Sequence, residues 1–478
     1  MSVLVLALIA TGLVIVRPGP VAGWLGAGPV GPAPVTDPPE PALSPVLAGV
    51  AADAPMPSPA AVQAALDQVI GGSVVSSAHV SVVDILTGQS IYARQADTPT
   101  VPASTTKVLT AATVLAARGE AYRIPTRVVA GANPGEVVLV GAGDPTLAAN
   151  AKGYYPGAGR LDQLAQQVKT ALGGSPPSKV IIDGSLYSGP VDGPGWDSYR
   201  PTDGYAAPIA ALMMDGGRID PAQGKNGERT MKPDVAAGQA FAKALGLPQD
   251  AVTRGSAPAG GGQNGAPAAR GSGGPTAGGG AEAVAPGSEL GRVQSPPMIR
   301  LVEFMLNESD NVVAEALARQ VALARNQPAS FAGGATAMVA VLAELGLPAN
   351  NIELSDASGL SRRNRIPPST LAQALTLAAN PSRPELASVF AGLPVAAWSG
   401  TLQQRFASPA VQNRAGAGVV RAKTGTLSGV NTLSGVLTTA DGRVLAFAAL
   451  ADQVPTGPEV AQPALDRIAA TLAACGCR

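Results

Sequence analysis

Apolar residues along this 478-residue chain fall into three regimes, and each predicts different structure. The first is a continuous apolar run from Val3 to Val16, interrupted only by Thr11 and Gly12. As a helix it would extend about 21 Å, short of the roughly 30 Å of a bilayer core, and its length suits the apolar region of an export signal. No Lys or Arg lies between Met1 and Arg17, so either the α-amino group supplies the leading charge or the start lies upstream. No small-x-small cleavage site stands out, which leaves a cleaved signal peptide and a retained anchor both open for residues 1–17. Residues 18–58 form a Pro/Gly-rich tether, clearest at Asp37-Pro-Pro-Glu-Pro41, a composition that stays extended and unpacked.

Periodicity begins at residue 59. Ala60–Ile70 reads as an amphipathic helix. His79–Ile85 and Ser90–Arg94 alternate on either side of Thr87-Gly88 as a hairpin, and Val108–Ala117 reads as an Ala-rich helix ending near Arg118-Gly119. In the second regime, residues 127–294, short strands (Arg127–Val129, Val137–Val140, Val180–Asp183) alternate with Gly/Pro turns and two helices, Leu161–Leu172 and Val235–Leu245. Residues 255–280 are a Gly-rich low-complexity excursion. From Ser295 the third regime is helical: Ile299–Leu306, Val312–Ala324, Gly334–Leu345 and Pro368–Ala379. A strand Val419–Ala422, a hairpin of Val430–Thr438 and Arg443–Ala451 over Ala440-Asp-Gly442, and a closing helix Pro463–Ala474 complete the chain. The order predicts an α/β (α+β) fold whose core is built from 59–126 and 295–478, with 127–294 inserted.

Composition narrows the chemistry. Lys+Arg and Asp+Glu both number 33 and the pI is near 6.6, which gives no footprint for nucleic acid. A single histidine, His79, stands at the start of a predicted strand. It leaves little room for Ser-His-Asp or Cys-His catalysis or for His-based zinc sites, so a hydrolase built on this chain needs a lysine or carboxylate base and no metal or other cofactor is expected. The two cysteines, Cys475 and Cys477, could pair, stay reduced or bind nothing; a chain otherwise free of thiols is compatible with export.

The candidate chemistry starts at Ser104-Thr-Thr-Lys107. Pro102 and Ser104 lie where the Ala-rich helix begins, and positions i and i+3 share a helix face. The hydroxyl and the amine therefore face one way, a nucleophile beside a base, at the positive end of a helix dipole. Of the eight lysines only Lys107 has a serine three residues before it. Two more short motifs follow in order, Ser309-Asp-Asn311 between two predicted helices and Lys423-Thr-Gly425 on a strand of the terminal hairpin. All three in this order by chance is a coincidence well below about 1%. The trio resembles that of the penicillin-recognising serine enzymes. The interval from Ser104 to Ser309 (309 − 104 = 205) is too long for class A β-lactamases or the smaller carboxypeptidases. It is similar to that of the class C low-molecular-mass penicillin-binding proteins, D-alanyl-D-alanine carboxypeptidases that are often also endopeptidases. The stretches Leu139-Val-Gly-Ala-Gly-Asp-Pro-Thr-Leu147, Tyr205-Ala-Ala-Pro-Ile-Ala-Ala-Leu212, Asp356-Ala-Ser-Gly-Leu-Ser-Arg362 and Gly400-Thr-Leu402 also look like that family, and the resemblance covers about residues 60–470.

The resemblance implies a transpeptidase/β-lactamase-like core with an antiparallel sheet flanked by helices. It implies a serine D,D-peptidase that removes the terminal D-alanine of peptidoglycan stem peptides outside the cytoplasmic membrane, is acylated by β-lactams, and touches the membrane only through its N-terminal segment. Ser104 would be the acylated nucleophile, Lys107 its base, Ser309 a proton relay to the leaving amine, Asn311 a partner of the substrate amide and Lys423 a second cation whose charge helps keep Lys107 neutral. Backbone N–H groups of Ser104 and Thr426 would form the oxyanion hole. Gly425 would let the substrate backbone lie close to the strand, and Lys423, Thr424 and Thr426 suit a terminal carboxylate. Leu427 and Ser428 would touch the peptide, Arg362 is a candidate for an acidic stem-peptide side chain, and Trp196, Asp197, Tyr199 and Tyr205 are candidates for the far wall or for interdomain packing. Asp310 is assigned to structure. The alternatives are a slow β-lactam-binding regulatory protein and a β-lactamase; the latter lacks a Glu-x-x-x-Asn downstream of Ser309.

Overall fold

The computed structural model describes residues 53–199, 201–258, 284–407 and 411–476. The apolar run 3–16, nearly all of the tether, most of the 255–280 excursion and Cys477 lie outside these residues.

The final hairpin explains the architecture. Its second strand, Val444–Ala451, is buried throughout and reads VLAFAALA, apolar on both faces, as a strand covered from two sides must be. Successive side chains point to opposite faces. Val444, Ala446, Ala448 and Leu450 enter one core with Leu109, Leu115 and Leu371. Leu445, Phe447, Ala449 and Ala451 enter another with Leu66, Ile70, Leu465 and Ile468. We number the elements in chain order. α1 (Pro59–Gly71), β1 (His79–Asp84) and β2 (Ser90–Arg94) precede a 3₁₀ turn at Ala103–Thr105 and α2 (Thr106–Arg118). The second sheet and its helices are β3 (Pro125–Ala130), β4 (Glu136–Val140), α3 (Leu161–Ala171), β5 (Lys179–Asp183), α4 (Pro233–Leu245), β6 (Val252–Arg254) and β7 (Glu289–Gln294). Then come α5 (Met298–Glu308), α6 (Asn311–Ala324), α7 (Phe331–Glu344), α8 (Pro368–Ala378), α9 (Ser388–Gly392), β8 (Arg421–Leu427), β9 (Val430–Thr438), β10 (Val444–Ala451) and α10 (Pro458–Ala473).

The main sheet is antiparallel in the order β2-β1-β10-β9-β8, with α2 and α8 on one face and α1 and α10 on the other. It joins the start and the end of the described chain. A buried Arg443–Asp84 ion pair, 359 positions apart in sequence, fastens the hairpin to β1. β8 is the outer strand; β9 is its strand partner, and Val395 bridges to Arg421 only at its start, which leaves the outer edge beyond Ala422 without a strand partner among the described residues. The second sheet, ordered β6-β5-β4-β3-β7, is parallel across β4-β5-β6 and antiparallel across β4-β3-β7. α3 and α4 cover it around Leu164, Val168 and Phe241. The segment between β5 and α4 turns toward the helices of the main sheet instead, where Ala207, Ile209 and Met213 pack with Val312 and Phe331.

Two differences from the sequence expectation have local causes. α10 starts at Pro458 rather than Pro463, because Pro458 takes the first helical position while Pro463 sits inside the helix. β6 and β7 carry no pattern of their own: β6 is three residues long and β7 contains Gly291. Among the described residues no helix is long and apolar enough to cross a membrane.

Candidate active site

Ser104 lies in the 3₁₀ turn that leads into α2. Three threonine hydroxyls fix that turn: Thr105 donates to the Pro102 carbonyl (2.6 Å), Thr106 to the Ala103 carbonyl (2.8 Å), and Thr432 of β9 to the Pro102 carbonyl (2.8 Å). Ala103, immediately before the serine, has φ +46°, a left-handed conformation that costs an alanine energy and persists only when its surroundings impose it. Gly425 of β8 and Gly359 supply those surroundings. A Cβ on Gly425 would lie 2.9 Å from the Ser104 nitrogen and 2.1 Å from the Thr432 hydroxyl. A Cβ on Gly359, itself at φ +81°, would lie 1.8 Å from the Ala103 carbonyl oxygen. The close approach that requires Gly425 is therefore made by the protein's own Ser104 turn.

Lys107 is fully buried one helical turn on. Its Nζ lies 3.1 Å from Ser104 Oγ, 2.6 Å from Asn311 Oδ1 and 2.6 Å from the Ser358 carbonyl oxygen. A neutral amine has two N–H bonds and one lone pair. The two hydrogens match Asn311 and Ser358, which leaves the lone pair for the Ser104 hydroxyl proton. Burial pushes the Lys107 pKa down to about 8, against the opposing pull of Asp356, Glu315 and Asp310; Lys225 adds to the lowering. Desolvation rather than cationic crowding thus depresses this base. Lys423 feels the crowding instead: burial first, then the charges of Lys107, Lys225 and Arg405, hold its pKa well below the ordinary lysine value. Its Nζ donates to the Thr424 carbonyl (2.8 Å).

The second motif joins α5 to α6. Ser309 ends α5 in the left-handed region (φ +59°), and Asp310 caps α6, its Oδ1 accepting from the Val312 and Val313 amides at 3.0 and 3.1 Å. Asn311, the first residue of α6, holds Lys107 with Oδ1 and donates from Nδ2 to the Tyr205 carbonyl (3.0 Å). The Ser309 hydroxyl has no hydrogen-bond partner among the described residues.

A cleft of about 330 Å³ opens in front of Ser104, lined by Trp196, Asp197, Tyr205, Asn311, Leu360 and Thr426 to Ser428. The hydroxyls of Thr424 and Thr426 have partners of their own: Thr424 Oγ1 donates to Thr401 Oγ1 (2.7 Å), and Thr426 Oγ1 accepts from Gln462 Nε2 (3.4 Å). Arg362 ties the rim together, pairing with Asp197 at 3.2 Å and donating to the Ser428 carbonyl at 3.1 Å. Trp196 donates to Asp356 Oδ2 (2.7 Å) and meets Phe331 and Tyr199 edge to face, while Tyr199 tilts against Tyr205. Wall and packing are thus one aromatic cluster. Among the described residues no three His, Cys, Asp or Glu side chains are grouped to hold a metal ion.

The profile of the D-Ala-D-Ala carboxypeptidase 3 (S13) family matches residues 62–260 and 271–474. The chain belongs to this family. A carboxypeptidase of Mycobacterium tuberculosis is 41% identical to this S13 chain over 450 residues, covering 93% of it and 90% of the relative. Carboxypeptidase DacB of Mycolicibacterium smegmatis is 36% identical over 445 residues, 92% of this chain and 90% of that one. The fold is that of penicillin-binding protein 4 of Haemophilus influenzae: TM-score 0.65 at 22% identity, covering 87% of this chain and 98% of that one.

What the motifs of this S13 chain do not announce is the support beneath Lys107. Glu315, buried on α6, accepts from the amides of Ala357 (3.0 Å) and Ser358 (2.8 Å). Burial and then the charge of Asp356 raise its pKa to about 7. Asp356 gathers the rest of its loop, accepting from the Gly359 and Ser361 amides, the Ser358 hydroxyl and the Asn364 amide group. The Asp-Ala-Ser-Gly turn was visible in the sequence; that it presents the Ser358 carbonyl to Lys107 was not. Gly359→Ala should therefore displace Ala103 and Ser104 together, lowering stability by about 2–3 kcal/mol and slowing acylation. Thermal melting and penicillin labelling of the same sample check both.

The lowered base also sets a pH limb. With Lys107 as the base, only its neutral form would take the serine proton, so kcat/KM should rise as pH increases through about 8. About a tenth of the enzyme would be competent at pH 7. A pH–rate profile flat from 6 to 9 would contradict this.

Proposed function

We propose that the chain is an exported serine D,D-peptidase that removes the terminal D-alanine from peptidoglycan stem peptides, and also cleaves cross-links, through an acyl-enzyme on Ser104. The observation that carries the reading is the Lys107 amine, 3.1 Å from Ser104 Oγ and held by two other acceptors. Ser104 Oγ gives its proton to Lys107 and attacks the carbonyl of the penultimate D-alanine. Oxygen charge develops toward the Ser104 and Thr426 amides, the tetrahedral intermediate collapses, and the D-alanine amine leaves with a proton relayed through Ser309. Water, deprotonated by Lys107, then releases the shortened peptide.

The outer position of β8 suits this chemistry, since an edge strand offers unpaired backbone groups along which an extended peptide can lie. The terminal carboxylate would face Lys423 and Thr424, and its arrival favours the protonated form of Lys423. The body of the peptide would run past Leu427 and Ser428 toward Arg362 and the Trp196–Tyr205 wall. β-Lactams would acylate the same serine, and residues 127–294 would be an insertion in the catalytic core. Outside the cytoplasmic membrane the N-terminal segment would be its contact with the lipid.

The test incubates purified protein with monomeric pentapeptide and with cross-linked muropeptides and reads the products by mass, alongside labelling by a fluorescent penicillin. Loss of one alanine from the monomer and cleavage of the dimer are expected. Absence of both penicillin labelling and alanine release would exclude a D,D-peptidase.

A further inference from the structure

Between β5 and α4, far in sequence from the three motifs, a buried arginine reaches the middle of the second one. Arg218 is 1% exposed, and all five of its N–H donors are used. Nε donates to the Gly224 carbonyl (2.9 Å). Nη1 donates to the Tyr155 hydroxyl and the Asp215 carbonyl (both 3.0 Å). Nη2 donates to the Lys225 carbonyl (3.3 Å) and to Asp310 Oδ2 (3.4 Å). The guanidinium lies over the Tyr154 ring, 3.5 Å from its centroid, and Tyr155 donates its own hydroxyl to Asp310 Oδ2 at 2.9 Å. The turn that presents Arg218 runs through Asp215, Gly216 and Gly217, all at positive φ. A second buried arginine, Arg229, donates to the Gly216 carbonyl at 2.5 Å and locks that turn.

A buried ion pair of this kind is weak evidence for stability, because desolvation offsets the attraction; its better-attested use is to fix one arrangement among several. Here the fixed residue is Asp310. One of its oxygens caps α6 and the other is held by Arg218 and Tyr155. Its neighbours on either side are Ser309, in a left-handed conformation, and Asn311, hydrogen-bonded to Lys107. We propose that Arg218 is a positioning residue for catalysis: acting through Asp310, it sets the placement of Ser309 and Asn311 against Lys107, so the 127–294 region completes the catalytic centre as well as walling the cleft. The inference rests on the acyl-enzyme reading of Ser104 given above.

Electrostatics provides a second handle. The charges acting on Lys107 and its neighbour Lys423 come from Asp356, Glu315, Asp310, Lys225 and Arg405. Burial raises the Asp310 pKa, but Arg229 and Arg218 overcome this and hold the carboxyl ionised. With Arg218 gone, one charge fewer opposes burial, the Asp310 carboxyl takes up a proton more readily, and its raising pull on the Lys107 amine weakens.

The experiment compares wild type, Arg218→Met and Tyr155→Phe in the full chain, following pentapeptide turnover, the rate of acylation by a fluorescent penicillin, the pH profile and thermal melting. Arg218→Met is expected to lower kcat about 10–100-fold with KM within about twofold, to slow acylation in parallel and to move the acid limb of kcat/KM to lower pH. Tyr155→Phe should shift the same quantities in the same direction by less, and it decides the matter if Arg218→Met does not fold. Folded variants with wild-type kcat and an unmoved limb would overturn the proposal, as would a loss that only follows the folded fraction. A wild type that takes no penicillin label would instead refute the acyl-enzyme reading itself.

Discussion

Replacing Ser104 by alanine is expected to abolish covalent labelling by a fluorescent penicillin and to lower D-alanine release by about 10⁴–10⁶-fold, while the protein stays folded. Loss and survival have separate causes. In the proposed reaction the hydroxyl, in reach of the Lys107 amine, is the nucleophile, so without it no ester would form. The turn that carries it is held by other groups: the hydroxyls of Thr105, Thr106 and Thr432, the core residues of α2, and the backbone contact with Gly425. Alanine keeps the Cβ and removes one hydrogen-bond partner from Lys107, which retains Asn311 and Ser358. A melting temperature within a few degrees of wild type is therefore expected, and a non-covalent complex with substrate should survive. Intact-protein mass spectrometry after incubation with penicillin reads the first outcome; a remaining adduct would place the nucleophile elsewhere.

The second large effect is at Lys107. Lys107→Met should slow acylation by about 10³–10⁴-fold, and raising the pH to 10 should not restore it, because the missing group is the base and not its deprotonation. Methionine fills much of the same volume and removes a buried ammonium, so the change in stability should stay within about 1–2 kcal/mol even though Asn311 and Ser358 lose a donor. Lys107→Arg separates two roles of the side chain. A guanidinium keeps the positive charge but does not deprotonate in this pH range. If Lys107 served only as a cation, the arginine variant would keep activity; as a base, it is as slow as the methionine variant. Stopped-flow labelling across pH distinguishes the two.

The sequence discloses this site unevenly, for physical reasons. Ser104 and Lys107 share a helix face, Asp310 precedes an apolar helix as a capping residue should, and Lys423-Thr-Gly425 follows directly on the strand read at Val419–Ala422. Each is a short-range relation, legible as spacing. The hairpin β9–β10 is legible for the same reason, through Asp441-Gly442 between two apolar runs. Glu315 has no such mark: it looks like any polar position on a helix, and its function depends on two amides more than forty residues away. Arg218 is still less visible, one arginine among Gly/Pro turns whose partner lies 92 positions on. Arg362, read as a cation for substrate, is paired with Asp197, a partner 165 positions away that no local pattern could indicate.

The join between β1 and β10 bears on how this protein comes into being. The centre of the main sheet pairs residues 79–84 with 445–450, and the Arg443–Asp84 pair spans 359 of the 478 positions. Contacts so distant in sequence are entropically slow to form. The second sheet draws its strands from residues 125–294 and can close earlier on a growing chain. The main sheet cannot: until the last hairpin is available, β1 and β2 have no partner but each other, and a lone two-stranded hairpin is marginal in water. β8 and its Lys423 belong to that same final segment, so a chain shortened before Arg421 is expected to lack both the closed main sheet and peptidase activity.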